Sequence, residues 1–252
     1  MSAWSAPEGT AARLVAGGSE GEALLGGVEI RLPPGLKTYW RYPGDSGVPP
    51  HFDWTGSHNV EAVEVLWPAP TRFDDGGSYS IGYKHDVVLP LRIVPKDRAQ
   101  PVELKLNLDF AVCGRICQPA TAALDLTLPP GGAGTPSAAL AQALAQVPRP
   151  AALGAEGEPG IAAAELKGSA DNAAIRVVAE VSDPAADLFV EGPNEDWALP
   201  LPVREIGPDG RAVFVLPVDG VPSGADVAAA KLRFTLVDGD RAIQVDAPLS
   251  TR

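Results

Sequence analysis

The chain has 252 residues, 27 of them Gly and 26 Pro, a density of turn formers that argues against a mainly helical fold. Its 20 Lys and Arg stand against 32 Asp and Glu, a net charge of −12. The clustered cations that neutralise nucleic-acid phosphates or anionic lipid surfaces are therefore missing, no apolar run reaches the roughly 18 to 20 residues of a membrane helix, and neither nucleic acid nor direct membrane insertion is expected.

Taken in chain order, the start Met1-Ser2-Ala3-Trp4 has no basic segment followed by an apolar one, so it does not read as a signal peptide. Residues 12–16 form a short candidate strand. Residues 28–32 follow a Gly26-Gly27 break and alternate apolar with charged side chains, the period-two signature of a half-buried strand. Residues 60–67 show a similar pattern, and residues 87–94 form a more continuous apolar run interrupted by Pro90.

The clearest periodicity comes next. Val102, Leu104, Leu106, Leu108, Phe110 and Val112 alternate with mostly polar residues, and so do Ala122, Leu124, Leu126 and Leu128. Two such runs around a short connection predict a β-hairpin with Cys113-Gly114-Arg115-Ile116-Cys117 at its tip.

Residues 129–136 are a Pro/Gly breaker cluster. Behind them, Leu140, Leu144 and Val147 share one helical face, with Ser137 as N-cap and Pro148 as stop. Strands are then expected at residues 173–181, 188–191, 212–218, 231–238 and 242–246, separated by Gly- and Asp-rich turns. Many short strands with frequent turns predict an all-β protein of two sandwich-like domains. The expected division is residues 1–130, a Pro/Gly/Ala-rich linker with a short helix at 131–149, and a second β domain of unassigned role at 150–252.

The two cysteines, Cys113 and Cys117, are the only ones in the chain. Paired strands hold them close enough to bond. Three readings of the pair follow. A stapling disulfide closing so short a loop contributes only about 2 kcal/mol. A zinc site needs further ligands, and His51, His58 and His85 show no pairing pattern, whereas a Cu(I) site can be built from the two thiolates. A dithiol that cycles with its disulfide needs one accessible sulfur and a resolving partner nearby, and Arg115 between them would favour a thiolate. The corresponding functions are a thiol-disulfide exchange domain, a non-catalytic binding module with an inert disulfide, or a Cu(I)-binding copper-tolerance protein.

Three motifs then point to a family. Residues 35–50, GLKTYWRYPGDSGVPP, resemble the TYWR-PGDSG-PP signature of the amino-terminal periplasmic region of DsbD-like and ScsB-like protein-disulfide reductases. Residues 82–91, GYKHDVVLPL, resemble its strand ending in LP, and residues 110–120, FAVCGRICQPA, its active-site hairpin. The resemblance implies immunoglobulin-like folding and a periplasmic location. It also implies electron flow from a membrane-embedded reductase domain through Cys113 and Cys117 to thioredoxin-fold partners, with no further cofactor and no metal. By position, Cys117 would attack and Cys113 resolve. A loop over residues 73–79 would shield the pair, with Phe73 or Tyr79 as the capping ring, and Tyr39 would line the site. Asp74 and Asp75 read as turn residues whose charge, if close to the thiols, would raise their pKa. Well-known members space their cysteines more widely. Without a membrane segment or a thioredoxin-like CxxC, the chain reads as part of a larger reductase or as a stand-alone secreted relative.

Overall fold

The computed structural model describes every residue except 7, 133, 169–171 and 252. The chain divides into two compact units, Met1–Val147 and Pro148–Arg252. Both are immunoglobulin-like β-sandwiches.

The first unit opens with β1 (Ala11–Glu20), β2 (Ala23–Arg31), β3 (Lys37–Gly44), β4 (His51–Asp53) and β5 (Val60–Val65). It continues with β6 (Thr71–Asp74), β7 (Tyr79–Tyr83), β8 (Val87–Pro95), β9 (Val102–Cys113), β10 (Cys117–Leu128) and the helix α1 (Ala138–Ala145). One sheet has the order β1-β2-β8-β5; the other runs β10-β9-β3-β7-β6, with β4 also pairing β9. The inward sides of both, including Leu14, Ile30, Leu91, Leu104 and Leu106, form a continuous apolar core. The alternation read in residues 102–112 is real: even positions are buried and odd ones exposed as far as Asp109.

Gly26 and Gly27 do not break β2; the strand runs through them. Their reason is packing. A Cβ on Gly27 would stand 3.1 Å from Leu140 Cδ1, and one on Gly17 would stand 2.5 Å from Leu140 Cδ2. These bare positions receive Leu140 of α1, which is fully buried with Ala143 against Val15 and Val88. Ser137 caps α1 as its position suggests, accepting a hydrogen bond from the Leu140 amide at 3.2 Å. The helix assigned to a linker by sequence is thus docked on the first unit, on the side of its sheet away from the core. Burying one Leu side chain is worth about 2 kcal/mol, enough to hold two turns that would not be helical alone.

The second unit comprises β11 (Arg149–Pro150), β12 (Gly160–Lys167), β13 (Ala174–Glu180), β14 (Asp187–Glu191), β15 (Val203–Ile206), β16 (Ala212–Pro217), β17 (Leu232–Asp238), β18 (Arg241–Ala247) and β19 (Ser250–Thr251). Its sheets have the orders β11-β18-β17-β14 and β15-β16-β13-β12-β19 around a core that includes Trp197, Phe214 and Phe234. Asp238, 2% exposed, ties the β17 end to the loop after β13. It accepts from the amides of Ser182 and Asp183 at 3.1 and 2.6 Å, and from Arg241 at 3.0 Å.

Candidate functional site

The site follows from strand register. Cys117 lies opposite Cys113 across the β9–β10 hairpin, and Lys37 lies opposite Cys113 on the other side. One row across three strands therefore reads Lys37, Cys113, Cys117. The cysteines are bonded to each other, with Cα atoms 4.1 Å apart. Gly114, Arg115 and Ile116 form the exposed tip, closed by a bond from the Gly114 amide to the Ile116 carbonyl at 3.3 Å.

The two sulfurs sit in different surroundings. Cys117 is exposed, whereas Cys113 is 1% exposed. On β9 the exposed odd positions stop at Asp109; Ala111 and Cys113 are buried although they point outward by alternation. Tyr39 covers them, forming a small cluster with both. Its hydroxyl donates to Cys113 Sγ at 2.8 Å and lies 3.4 Å from Cys117 Sγ. Burial, and then the charge of Asp75, push the Tyr39 phenol above its ordinary pKa.

Two glycines make this arrangement possible. A Cβ on Gly82 would stand 1.9 Å from the Thr38 carbonyl oxygen, so only Gly lets β7 lie this close to β3. One on Gly47 would stand 2.7 Å from Tyr39 Cδ1. The PGDSG segment thus closes over the Tyr39 ring, which is the physical content of that motif.

Lys37 was not singled out by sequence, because β3 carries no alternation to show which of its residues are covered. It is 8% exposed. Its ammonium donates to both Asp75 carboxylate oxygens, at 2.5 and 2.6 Å, and to Ser80 Oγ at 2.8 Å. Ser80 also donates to Asp75 at 2.7 Å. Desolvation works against ionised Asp75, but the hydrogen bonds from Lys37 and Ser80 and the nearby Lys37 and Lys84 charges outweigh it, holding the carboxyl below its usual range. The turn between β6 and β7 is clasped to the cysteine row through this pair.

The other expected site residues are distributed as follows. Phe73, 5% exposed, is held within β6 with the Lys84 and Lys37 ammoniums 4.5 and 5.5 Å from its ring centre. Tyr79 is 40% exposed beside the Arg72 guanidinium. The side chain in contact with both sulfurs is that of Tyr39, through its hydroxyl, and Asp75 of the 73–79 stretch is tied to their row through Lys37. Asp74 shapes the turn, accepting from the Gly76 amide at 2.8 Å. Arg115 is exposed on the tip. A groove of about 470 Å³, apolar along Val48, Pro49, Ala111, Pro119 and Ala120, runs down the hairpin from Cys117. Among the described residues, no group of three or more His, Cys, Asp or Glu side chains is placed to hold a metal ion.

Comparison with known proteins fits this geometry. Residues 6–129 match the family model described as "Thiol:disulfide interchange protein DsbD, N-terminal". The first unit is a DsbD amino-terminal domain. Residues 146–252 match a domain of unknown function, DUF8393. Among solved structures, the N-terminal periplasmic domain of ScsB from Proteus mirabilis is similar, with a TM-score of 0.72 and 24% identity. The match covers 98% of this chain and 97% of that one, so the fold of both units is shared. No curated protein matches the sequence. Within the DsbD-type unit, the cysteine pair, Tyr39 and the Lys37–Asp75 clasp all fall inside the matched residues.

Proposed function

We propose that the chain is a periplasmic thiol-disulfide exchange domain that relays electrons through Cys113 and Cys117. The observation that carries this reading is the asymmetry of the pair: one cysteine exposed at the head of an apolar groove, the other buried under Tyr39. Exchange needs an accessible sulfur for the intermolecular step and a nearby one for resolution. In the reduced state the Cys117 thiolate attacks a partner disulfide. A Cys117–partner bond forms and the partner's other sulfur leaves as thiolate. Cys113 then attacks Cys117, restoring the intramolecular disulfide and releasing the reduced partner. Recharging runs in reverse, a donor dithiol attacking Cys117 and leaving its own sulfurs oxidised.

The partners on this reading are thioredoxin-fold proteins, whose apolar surface next to the reacting cysteine would seat in the groove. The donor is a membrane-embedded reductase domain. No step is assigned to the second unit.

The test is reduction of a thioredoxin-fold disulfide protein by the chemically reduced chain. Cys117→Ser abolishes transfer, and Cys113→Ser accumulates a mixed disulfide through Cys117. Transfer that persists in Cys117→Ser overturns the proposal.

A further inference from the structure

Opening the Cys113–Cys117 bond places negative charge where water cannot reach it. When a thiolate attacks the Sγ of Cys117, the exposed cysteine, the new bond forms there and the electron pair of the old one goes to the Sγ of Cys113, a residue only 1% exposed. A buried thiolate is costly unless a donor is already aimed at it. The Tyr39 hydroxyl is so aimed, 2.8 Å from that sulfur. Its position is over-determined: Gly47 leaves room for the segment that covers the ring, and Thr38 Oγ1, one residue away, donates to the Ala111 carbonyl at 2.9 Å, fixing β3 against β9.

Resting on the exchange reading above, we propose that Tyr39 is a catalytic residue whose hydroxyl stabilises the Cys113 thiolate as leaving group. The proton stays on oxygen. The phenol is raised above about 10, whereas a thiol ionises near about 8.5, so donation of a hydrogen bond is favoured over transfer. The same bond holds Cys113 as thiolate for the resolving step. The charged groups around the row are Lys37, which is committed to Asp75 and Ser80, then Lys84 beyond Phe73, Arg115 on the tip, and Asp109 and His51 along the groove. All are untouched by a change confined to the Tyr39 oxygen.

The test is Tyr39→Phe, which removes the oxygen and keeps the ring. The rate at which dithiothreitol opens the disulfide should fall about tenfold to a hundredfold, the range for losing a hydrogen bond to a charged group. In a Cys117→Ser background, the Cys113 pKa, titrated by thiolate absorbance, should rise by about one to two units in Tyr39→Phe. With Tyr39 intact it should lie below the ordinary thiol value despite burial, a measurement that needs no Tyr39 variant. An unchanged opening rate in folded Tyr39→Phe, or a Cys113 pKa above about 8.5 with Tyr39 present, overturns the assignment. A chain that shows the Tyr39 effects with dithiothreitol but never reduces a thioredoxin-fold protein supports the assignment and overturns the relay.

Discussion

The Lys37–Asp75 clasp gives a prediction with two unequal sides. The Lys37 side chain is 10% exposed and that of Asp75 31%. Removing the anion strands a buried ammonium; Asp75→Asn should therefore cost about 3 kcal/mol, in the range for breaking a buried pair from one side. Removing the cation leaves a carboxylate that water can reach. Lys37→Met, which keeps the apolar stem, should cost only about 1 kcal/mol. The double variant should be about 2 kcal/mol less destabilised than the sum, the coupling of charge-assisted hydrogen bonds in a half-buried setting. Amide exchange at β9 reads opening of the first unit, and exchange over residues 75–80 reads the turn itself. The pH dependence has a definite sign. The folded Asp75 carboxyl lies below its unfolded value of about 3.9, so the clasp contributes fully above that pH and is lost as pH falls through the lower, folded value. Turn protection should thus persist to about pH 4 and fall below it. Coupling within about 0.5 kcal/mol of zero would refute the reasoning, because the two groups would then be acting independently.

Two further outcomes follow from other parts of the molecule. Val48, 57% exposed on the groove wall, should matter to proteins more than to small thiols. Val48→Asp should slow exchange with a protein partner about tenfold more than opening by dithiothreitol, by desolvating a charge at a contact; equal slowing would remove the groove from docking. In the second unit, Asp238→Ala leaves the Ser182 and Asp183 amides without their side-chain acceptor, takes from Arg241 its carboxylate partner while the Glu158 carbonyl and Ser182 Oγ remain, and should lower that unit's stability by about 3 kcal/mol, measured by exchange at β17. Desolvation of Asp238 is outweighed by these bonds and its pKa is lowered, so its contribution is present above about pH 3.9 and disappears as pH falls through the folded value. In the Ala variant that acid-side loss should shrink.

The β9–β10 hairpin was legible because both strands bury one face, which imprints strict alternation on the sequence. So was α1, whose cap and stop are local chemistry. Where α1 docks was not legible, since it depends on Gly17 and Gly27 from distant strands. Strand β3 escaped notice for a physical reason. Its first four residues are all buried, on both faces, and it ends on Pro43-Gly44, so it carries no alternation. The short β6 and β7 leave too few positions for a pattern, and the Gly/Ala-rich start of β12 hides another. The cysteine pair was visible by residue type and Tyr39 by motif. Lys37 was visible by neither, although its place two residues before Tyr39 puts both on one side of any strand.

That last relation explains why the site depends on register as much as on composition. In β3 and β9, Thr38 and Val112 face one way while Lys37, Tyr39, Ala111 and Cys113 face the other. The inward set belongs to the sandwich; the outward set carries the chemistry. A one-residue slip between β3 and β9 would turn Lys37 and Tyr39 into the core and remove the hydroxyl from Cys113. The register is pinned by the Thr38–Ala111 hydrogen bond on one side and by the Gly82 approach of β7 on the other. A Cβ at residue 82, lying against the Thr38 carbonyl, would therefore act on sulfur chemistry through the placement of Tyr39, with neither cysteine altered.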